Sequence, residues 1–350
     1  MNLPKTVSTI RPRRVTLKWL SLSALALAGV VSVALAVEQA ATPATTVSAP
    51  TAAPAVKAAP VPLLWKVSDK DNAVYLLGSF HLLKPDDYPV SADVDNAFAA
   101  ASKVVFEVPP EQMLDPANPQ KFPAPAGSRA VRRLSDVLPA PMREKFNRIL
   151  AKRGASLAQF EDYEPWFVNL SLMLGLSQQM GFRPDQGLDN YLMQQAAAAN
   201  KPTGGLESID TQLHVLDSTP MAEQVAGLKD FLDRPQEMPG MLTDMHDAWR
   251  TGDLARLDTL ARREMLDKTP ETYRLVNVER NDAWVPQIQS MLDGVKKDQT
   301  LVVVGALHLL GDDGVIAKLR AKGYTVERVC SVCSDAANDG AEAGASAPGK

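Results

Sequence analysis

The run Leu301-Val302-Val303-Val304-Gly305-Ala306-Leu307-His308-Leu309-Leu310 has an echo far upstream, in Ala73-Val74-Tyr75-Leu76-Leu77-Gly78-Ser79-Phe80-His81-Leu82-Leu83. Each starts as a continuous apolar run of strand length and breaks at a glycine, the pattern of a buried β-strand entering a turn. Each then reads GxxHLL, so two of the chain's four histidines hang just past a strand's C-terminal end. Ligands and chemistry collect at that edge of an open α/β sheet. The doubled phrase therefore predicts one shared site.

Working outward, Leu64-Trp65-Lys66-Val67 and residues 73–77 flank the polar turn Ser68-Asp69-Lys70-Asp71-Asn72, which reads as a β-hairpin. Ser91 can cap a helix whose Val94, Ala97, Phe98 and Ala101 share one face, and Lys103 to Val108 is a further strand. Strand, helix, strand predicts a right-handed βαβ unit with parallel strands, which brings His81 and Glu107 out on the same edge. Residues 109–125 are proline-rich and read as a loop beside it. A long helical insertion follows, over about 130–293, interrupted by a short strand at Thr203-Gly204-Gly205-Leu206 that ends in Glu207. Strand 301–304, the His308 turn, a helix over about 312–322 stopped by Lys322-Gly323, and strand 324–329 predict a second βαβ unit. The expected fold class is α/β (α+β), a mixed and largely parallel sheet flanked by helices.

The ends of the chain read differently. Arg11, Arg13, Arg14 and Lys18 precede an uncharged stretch that closes on Ala34-Leu35-Ala36, the layout of an export signal cleaved after Ala36. Arg13-Arg14 also resembles a twin-arginine signal. An uncleaved anchor is the alternative, and the expected place of the body is periplasmic or extracellular in either case. Residues 37–62 form an Ala/Pro/Thr-rich tether, residues 63–333 the body, and residues 334–350 a tail expected to be disordered. Without the signal's five cations the body is more acidic than the whole chain's net charge of −4. No basic stripe remains for a nucleic acid, and a membrane contact would come only through an uncleaved anchor. Cys330 and Cys333 are the only cysteines, and in an oxidising compartment their CxxC spacing is read as a local disulfide rather than a redox or metal motif.

Two imidazoles and one or two carboxylates at one edge make the donor inventory of a divalent metal site with an open position. Imidazole with carboxylate suits Zn, Mn, Fe or Co better than Ca or Mg, and without thiolates a structural zinc is disfavoured. HExxH, GxSxG, Walker A and GxGxxG motifs are all absent. His214 and His246 fall inside helical stretches without matching context and read as surface or structural. Asp189 sits in a helix's first turn, where the dipole favours an acid anyway. Met173, Met180, Met193, Met241 and Met245 read as core filler.

The paired GxxH phrases, Glu107, Leu206-Glu207, Glu279-Arg280-Asn281 with Trp284, and the closing VVVGALHLLGDDGVIAKLRAKGY together resemble the TraB/PrgY/GumN family, which includes the animal Tiki proteins. The resemblance covers nearly the whole body, and its C-terminal block is the most specific part. It implies a fold similar to erythromycin-esterase and ChaN-like proteins. For Tiki-like members it also implies a metal-dependent peptidase, with His81, His308 and Glu107 as metal ligands and Arg280 matching the family's arginine. The expectation is then an exported metal-dependent hydrolase of a peptide or small amide, with Glu107, Glu207 and Arg280 as catalytic groups and Mn, Co or Zn as cofactor. The rival expectation is a non-catalytic peptide- or haem-binding protein that uses the same edge.

Overall fold

The computed structural model describes residues 57–113, 132–294 and 298–333. The expected signal, most of the tether and the tail lie outside the described residues. Six strands form one sheet in the order β4-β3-β5-β2-β1-β6, with β1 Leu64–Ser68, β2 Ala73–Ser79, β3 Lys103–Phe106, β4 Thr203–Gly205, β5 Gln299–Gly305 and β6 Thr325–Arg328. Strands β2 to β5 are parallel where they pair; β1 runs antiparallel to β2 as a hairpin and antiparallel to β6 on its other side. This is the mixed, largely parallel sheet that the sequence predicts, in an α+β setting.

Strand order departs from the simplest reading. β5 inserts between β2 and β3, and β1 separates β2 from β6, so neither βαβ unit pairs its own two strands. The reason is burial. Leu301, Val302, Val303 and Val304 are each at most 1 % exposed, and a strand apolar on both faces is stable only near the sheet's centre. Pairing β5 with β2 sets Gly78 beside Val304 and Ser79 beside Gly305, so the two GxxH phrases leave the sheet side by side with a one-residue offset.

Gly78 is tightly packed there. A Cβ would stand 3.2 Å from the Ala306 Cα and 3.1 Å from the Leu63 Cβ, inside a close crossing of two backbones.

The main core packs both faces of the sheet, with Leu188, Leu192, Trp249, Trp284, Ile288 and Leu319 reaching in from helices. A second cluster around Leu134, Phe146, Val168, Leu228 and Leu232 belongs to the helical insertion, with Met173 and Met241 packed against it. Met193 joins the main core, so these three methionines are indeed packing residues. The end of the expected tether is anchored: Val61 N–H donates to the Arg250 carbonyl at 2.8 Å, and the Arg250 guanidinium donates to the Ala58 carbonyl. Cys330 and Cys333 are joined in a disulfide. Among the described residues no helix is long and apolar enough to cross a membrane.

Candidate functional site

All five residues singled out in the sequence meet at the C-terminal edge of β2, β3, β4 and β5. The helix Glu279–Leu292 lies over this edge and buries Arg280, Asn281, Trp284, Val285, Ile288 and Leu292, one face at helical spacing. A π-helical stretch, Arg274–Val278, leads into its first turn, a distortion often found at functional sites. That first turn delivers Arg280 and Asn281 to the site.

Arg280 is the hub. Its Nη2 donates to Glu107 Oε2 at 2.6 Å and to Glu207 Oε1 at 2.6 Å, and its Nε is shared between the two Glu207 oxygens at 3.1 Å each. Nη1 donates to the Val276 carbonyl and to His308 Nε2, both at 3.1 Å. A guanidinium has five N–H bonds and all have acceptors here, three of them directed at the Glu107 and Glu207 carboxylates. Its charge remains in the site as a fixed cation, held further protonated by the two carboxylates although burial opposes it.

Glu207 is likewise committed. Both oxygens face Arg280, and Oε2 also accepts from Trp284 Nε1 at 3.3 Å, which places this carboxylate behind the guanidinium rather than at an open catalytic position. Burial pushes its pKa up, against the pull of Arg280.

Glu107 stands at the centre. Oε1 accepts from the Gly305 N–H at 2.6 Å, and Oε2 accepts from Arg280 and from Gln212 Nε2, the latter at 3.1 Å. Burial opposes its charge, but Arg280, the two imidazoles and the Gly305 N–H outweigh it and hold the pKa at about 2. This carboxylate is an anion at any working pH.

The two histidines are unlike. His308 is 5 % exposed, in the 3₁₀ turn Ala306–Leu309, with its ring 4.4 Å from that of Trp284. Asn281 Nδ2 donates to the Asp313 carbonyl at 2.9 Å, which turns Asn281 Oδ1 toward His308 Nδ1 at 2.8 Å. The assigned network therefore puts the proton on Nδ1 and the lone pair on Nε2, where Arg280 donates to it. Burial, with Arg280 and His81 adding to it, lowers the pKa to about 3. His81 instead lies at the mouth of the site, 61 % of its side chain exposed, with Nδ1 2.9 Å from Asp189 Oδ2. The Asp189 carboxylate pushes its pKa up to about 9, an attraction that water at the open mouth partly screens.

The low pKa of His308 has a measurable consequence. Between about 6.5 and about 3 the unfolded chain binds a proton at this residue and the folded chain does not, so stability falls as pH drops through that window. Glu107 extends the loss, since its depressed pKa contributes stability above about 4.5 that disappears toward about 2. Urea unfolding at stepped pH should show a decline on the order of a few kcal/mol over the acid range, shallower in His308→Gln. A profile unchanged by the substitution would contradict a neutral buried His308.

What brings these groups together is a missing side chain. A Cβ placed on Gly305 would lie 3.2 Å from His81 Nε2, 3.3 Å from Glu107 Oε1 and 3.6 Å from His308 Cδ2. One imidazole from each GxxH turn and a carboxylate thus line a cradle of methyl size. His308 Nε2 and Glu107 Oε1 are 3.9 Å apart, within the span of two metal bonds of about 2.1 Å each. The donor types and the cradle fit a divalent transition metal, but the donors are not preassembled. Among the described residues no three His, Cys, Asp or Glu side chains are grouped closely enough to hold an ion as they stand. Arg280 occupies the His308 lone pair, and both Glu107 oxygens carry hydrogen bonds.

Four contributors escaped the sequence reading: Asp189, Gln212, Asn281 and Gly305 as a cradle. A turn of spacing from Arg280 to Trp284 marks the buried face that includes Asn281, but nothing local marks the other three. His246 is structural, as expected: buried in the helix Met238–Thr251, it contacts Asp87 Oδ2 through Nε2 at 2.9 Å, and Arg250 pairs with the other Asp87 oxygen. His214 is exposed on its helix.

Comparison with known proteins identifies the family. The model of the TraB/PrgY/gumN family matches residues 63–328, from β1 to the end of β6. The Escherichia coli (strain K12) protein YbaP is 24 % identical over 251 residues, which cover 70 % of this chain and 87 % of YbaP. A Shigella flexneri YbaP matches to the same extent. Metalloprotease TIKI2 of Xenopus tropicalis is 23 % identical over 75 % of this chain and 59 % of its own length. No solved structure matches. Since the family match spans the whole sheet and every residue of the shared edge, the chain belongs to the TraB/PrgY/gumN family.

Proposed function

We propose that this chain is an exported metal-dependent hydrolase that cleaves a peptide or amide bond at the sheet edge. The observation that carries this reading is the Gly305 cradle, which gathers His81, Glu107 and His308 from three separate strand ends. A Mn, Co or Zn ion held by those three residues would supply a water of lowered pKa and polarise the scissile carbonyl. His81 offers Nε2, because its Nδ1 faces Asp189; His308 offers Nε2 once Arg280 Nη1 turns away from it.

Glu107 is held as an anion by Arg280 and the Gly305 N–H, which suits it to ligate a cation. Arg280 keeps a fixed positive charge beside the reacting position, favouring negative charge that develops there. Export is supported by the basic, then apolar, start of the sequence and by the disulfide near its end. The peptide bond as target is supported by the metalloprotease among the relatives.

Digestion of a peptide library tests this directly. Cleavage is expected with added Mn, Co or Zn, and its loss with chelator and in His308→Ala. Retention of peptides without cleavage under every metal would favour the rival reading, a binding protein that uses the same edge.

A further inference from the structure

We infer that Asp189, with Ser79 behind it, is a positioning residue that aims His81 at the Gly305 cradle. In its second arm the inference rests on the metal reading above. A strap of residues 183–189 is zipped against the first GxxH turn. Leu83 and Arg183 form an antiparallel bridge, and the Leu188 N–H donates to the Phe80 carbonyl at 3.2 Å.

Gly187 lies so close beneath the turn that a Cβ would stand 2.2 Å from the His81 carbonyl oxygen. The strap then enters the helix Leu188–Ala198, whose first turn carries Asp189.

There the carboxylate divides its two oxygens. Oδ1 accepts from the hydroxyl of Ser79, a residue 2 % exposed on β2, and Oδ2 faces His81 Nδ1 at 2.9 Å. Ser79 fixes the carboxylate's rotation, and the carboxylate fixes the ring. With Nδ1 turned outward to Asp189, Nε2 is left 3.2 Å from the cradle point at Gly305. An exposed imidazole without such a partner flips freely among rotamers, so the dyad converts a mobile side chain into an aimed one.

His308 reaches the same edge with a different partner, the neutral amide of Asn281. The two GxxH turns are therefore chemically distinct walls, and only the first is aimed by a carboxylate.

The test uses the full chain labelled with ¹⁵N-histidine. The apo wild type should show a downfield His81 Nδ1–H resonance that persists on both sides of neutrality. Asp189→Ala should lose it and Asp189→Asn should keep it, because an amide oxygen still accepts from Nδ1. Co titration should then show binding weakened about 10- to 100-fold in Asp189→Ala and largely rescued in Asp189→Asn. Ser79→Ala, which leaves the carboxylate in place, should shift both readouts in the same direction by less.

An unchanged Nδ1–H signal in Asp189→Ala overturns the inference. If the wild type binds no Co, the metal reading fails while the Nδ1–H arm still decides this one.

Discussion

Arg280→Ala is expected to lower the unfolding free energy by about 3–5 kcal/mol, the largest stability loss of any single substitution at this edge. The guanidinium is 7 % exposed and sits between Glu107 and Glu207, whose side chains are also nearly sealed from water. Removing it leaves two buried carboxylates a short distance apart with no cation between them. It also frees the Val276 carbonyl and the His308 lone pair from their donor. The effect on Glu107 should be direct: its pKa, held at about 2, has Arg280 as the first of the groups that pull it down.

A melting temperature lower by roughly 10 °C corresponds to a loss of this size in a domain of this length. Arg280→Lys should recover part of it, since an ammonium restores the charge but cannot span Glu107, Glu207 and His308 with one planar fork. Urea unfolding of the three proteins decides the matter. A loss under about 0.5 kcal/mol is what a surface arginine would give, and it would remove Arg280 from the centre of the account.

Gly305→Ala should do the reverse, abolishing function while sparing the fold. The backbone there has φ −53° and ψ 136°, which alanine adopts without strain, and the residue's N–H to Glu107 Oε1 is retained. The added methyl would stand 3.2 Å from His81 Nε2 and 3.3 Å from Glu107 Oε1, where the proposed ligands converge. Those side chains need give only a few tenths of an ångström, so the stability change should stay within about 1 kcal/mol. Metal binding and hydrolysis should each fall roughly 100-fold or more, because reacting groups displaced by even a small distance lose their alignment. Unchanged metal affinity in a well-folded Gly305→Ala protein would mean that the cradle is not where the ion sits.

Much of this edge is legible in the residues themselves. Two apolar runs ending in GxxH, an apolar strand ending in Glu107 and a short one ending in Glu207 are local patterns, and right-handed crossover connections put parallel strand ends on one side. His81, Glu107, Glu207, Arg280 and His308 do meet there. Strand order is less legible, because β5 takes the centre by competition among all the strands for burial, and no local pattern records that competition.

Roles are harder still. Arg280 and Glu207 read as catalytic groups by type, yet Glu207 turns its oxygens to Arg280 and Trp284 while Arg280 divides its N–H bonds among Glu107, Glu207, Val276 and His308, which only the three-dimensional count of donors and acceptors reveals. Asp189 is masked by its position: an acid in a helix's first turn needs no further explanation until His81 and Ser79 are found against it. Gly305 carries no chemistry of its own, and its importance lies in the space it leaves.

The central claim is that both GxxH turns serve one metal. Metal content by mass spectrometry of the purified protein after Mn, Co or Zn loading tests it most directly, with His81→Ala and His308→Ala beside the wild type. About one ion per wild-type chain, tightly held, is expected, with its loss in both variants. A wild type that retains no ion under replete conditions, or an ion that persists in either variant, would contradict it.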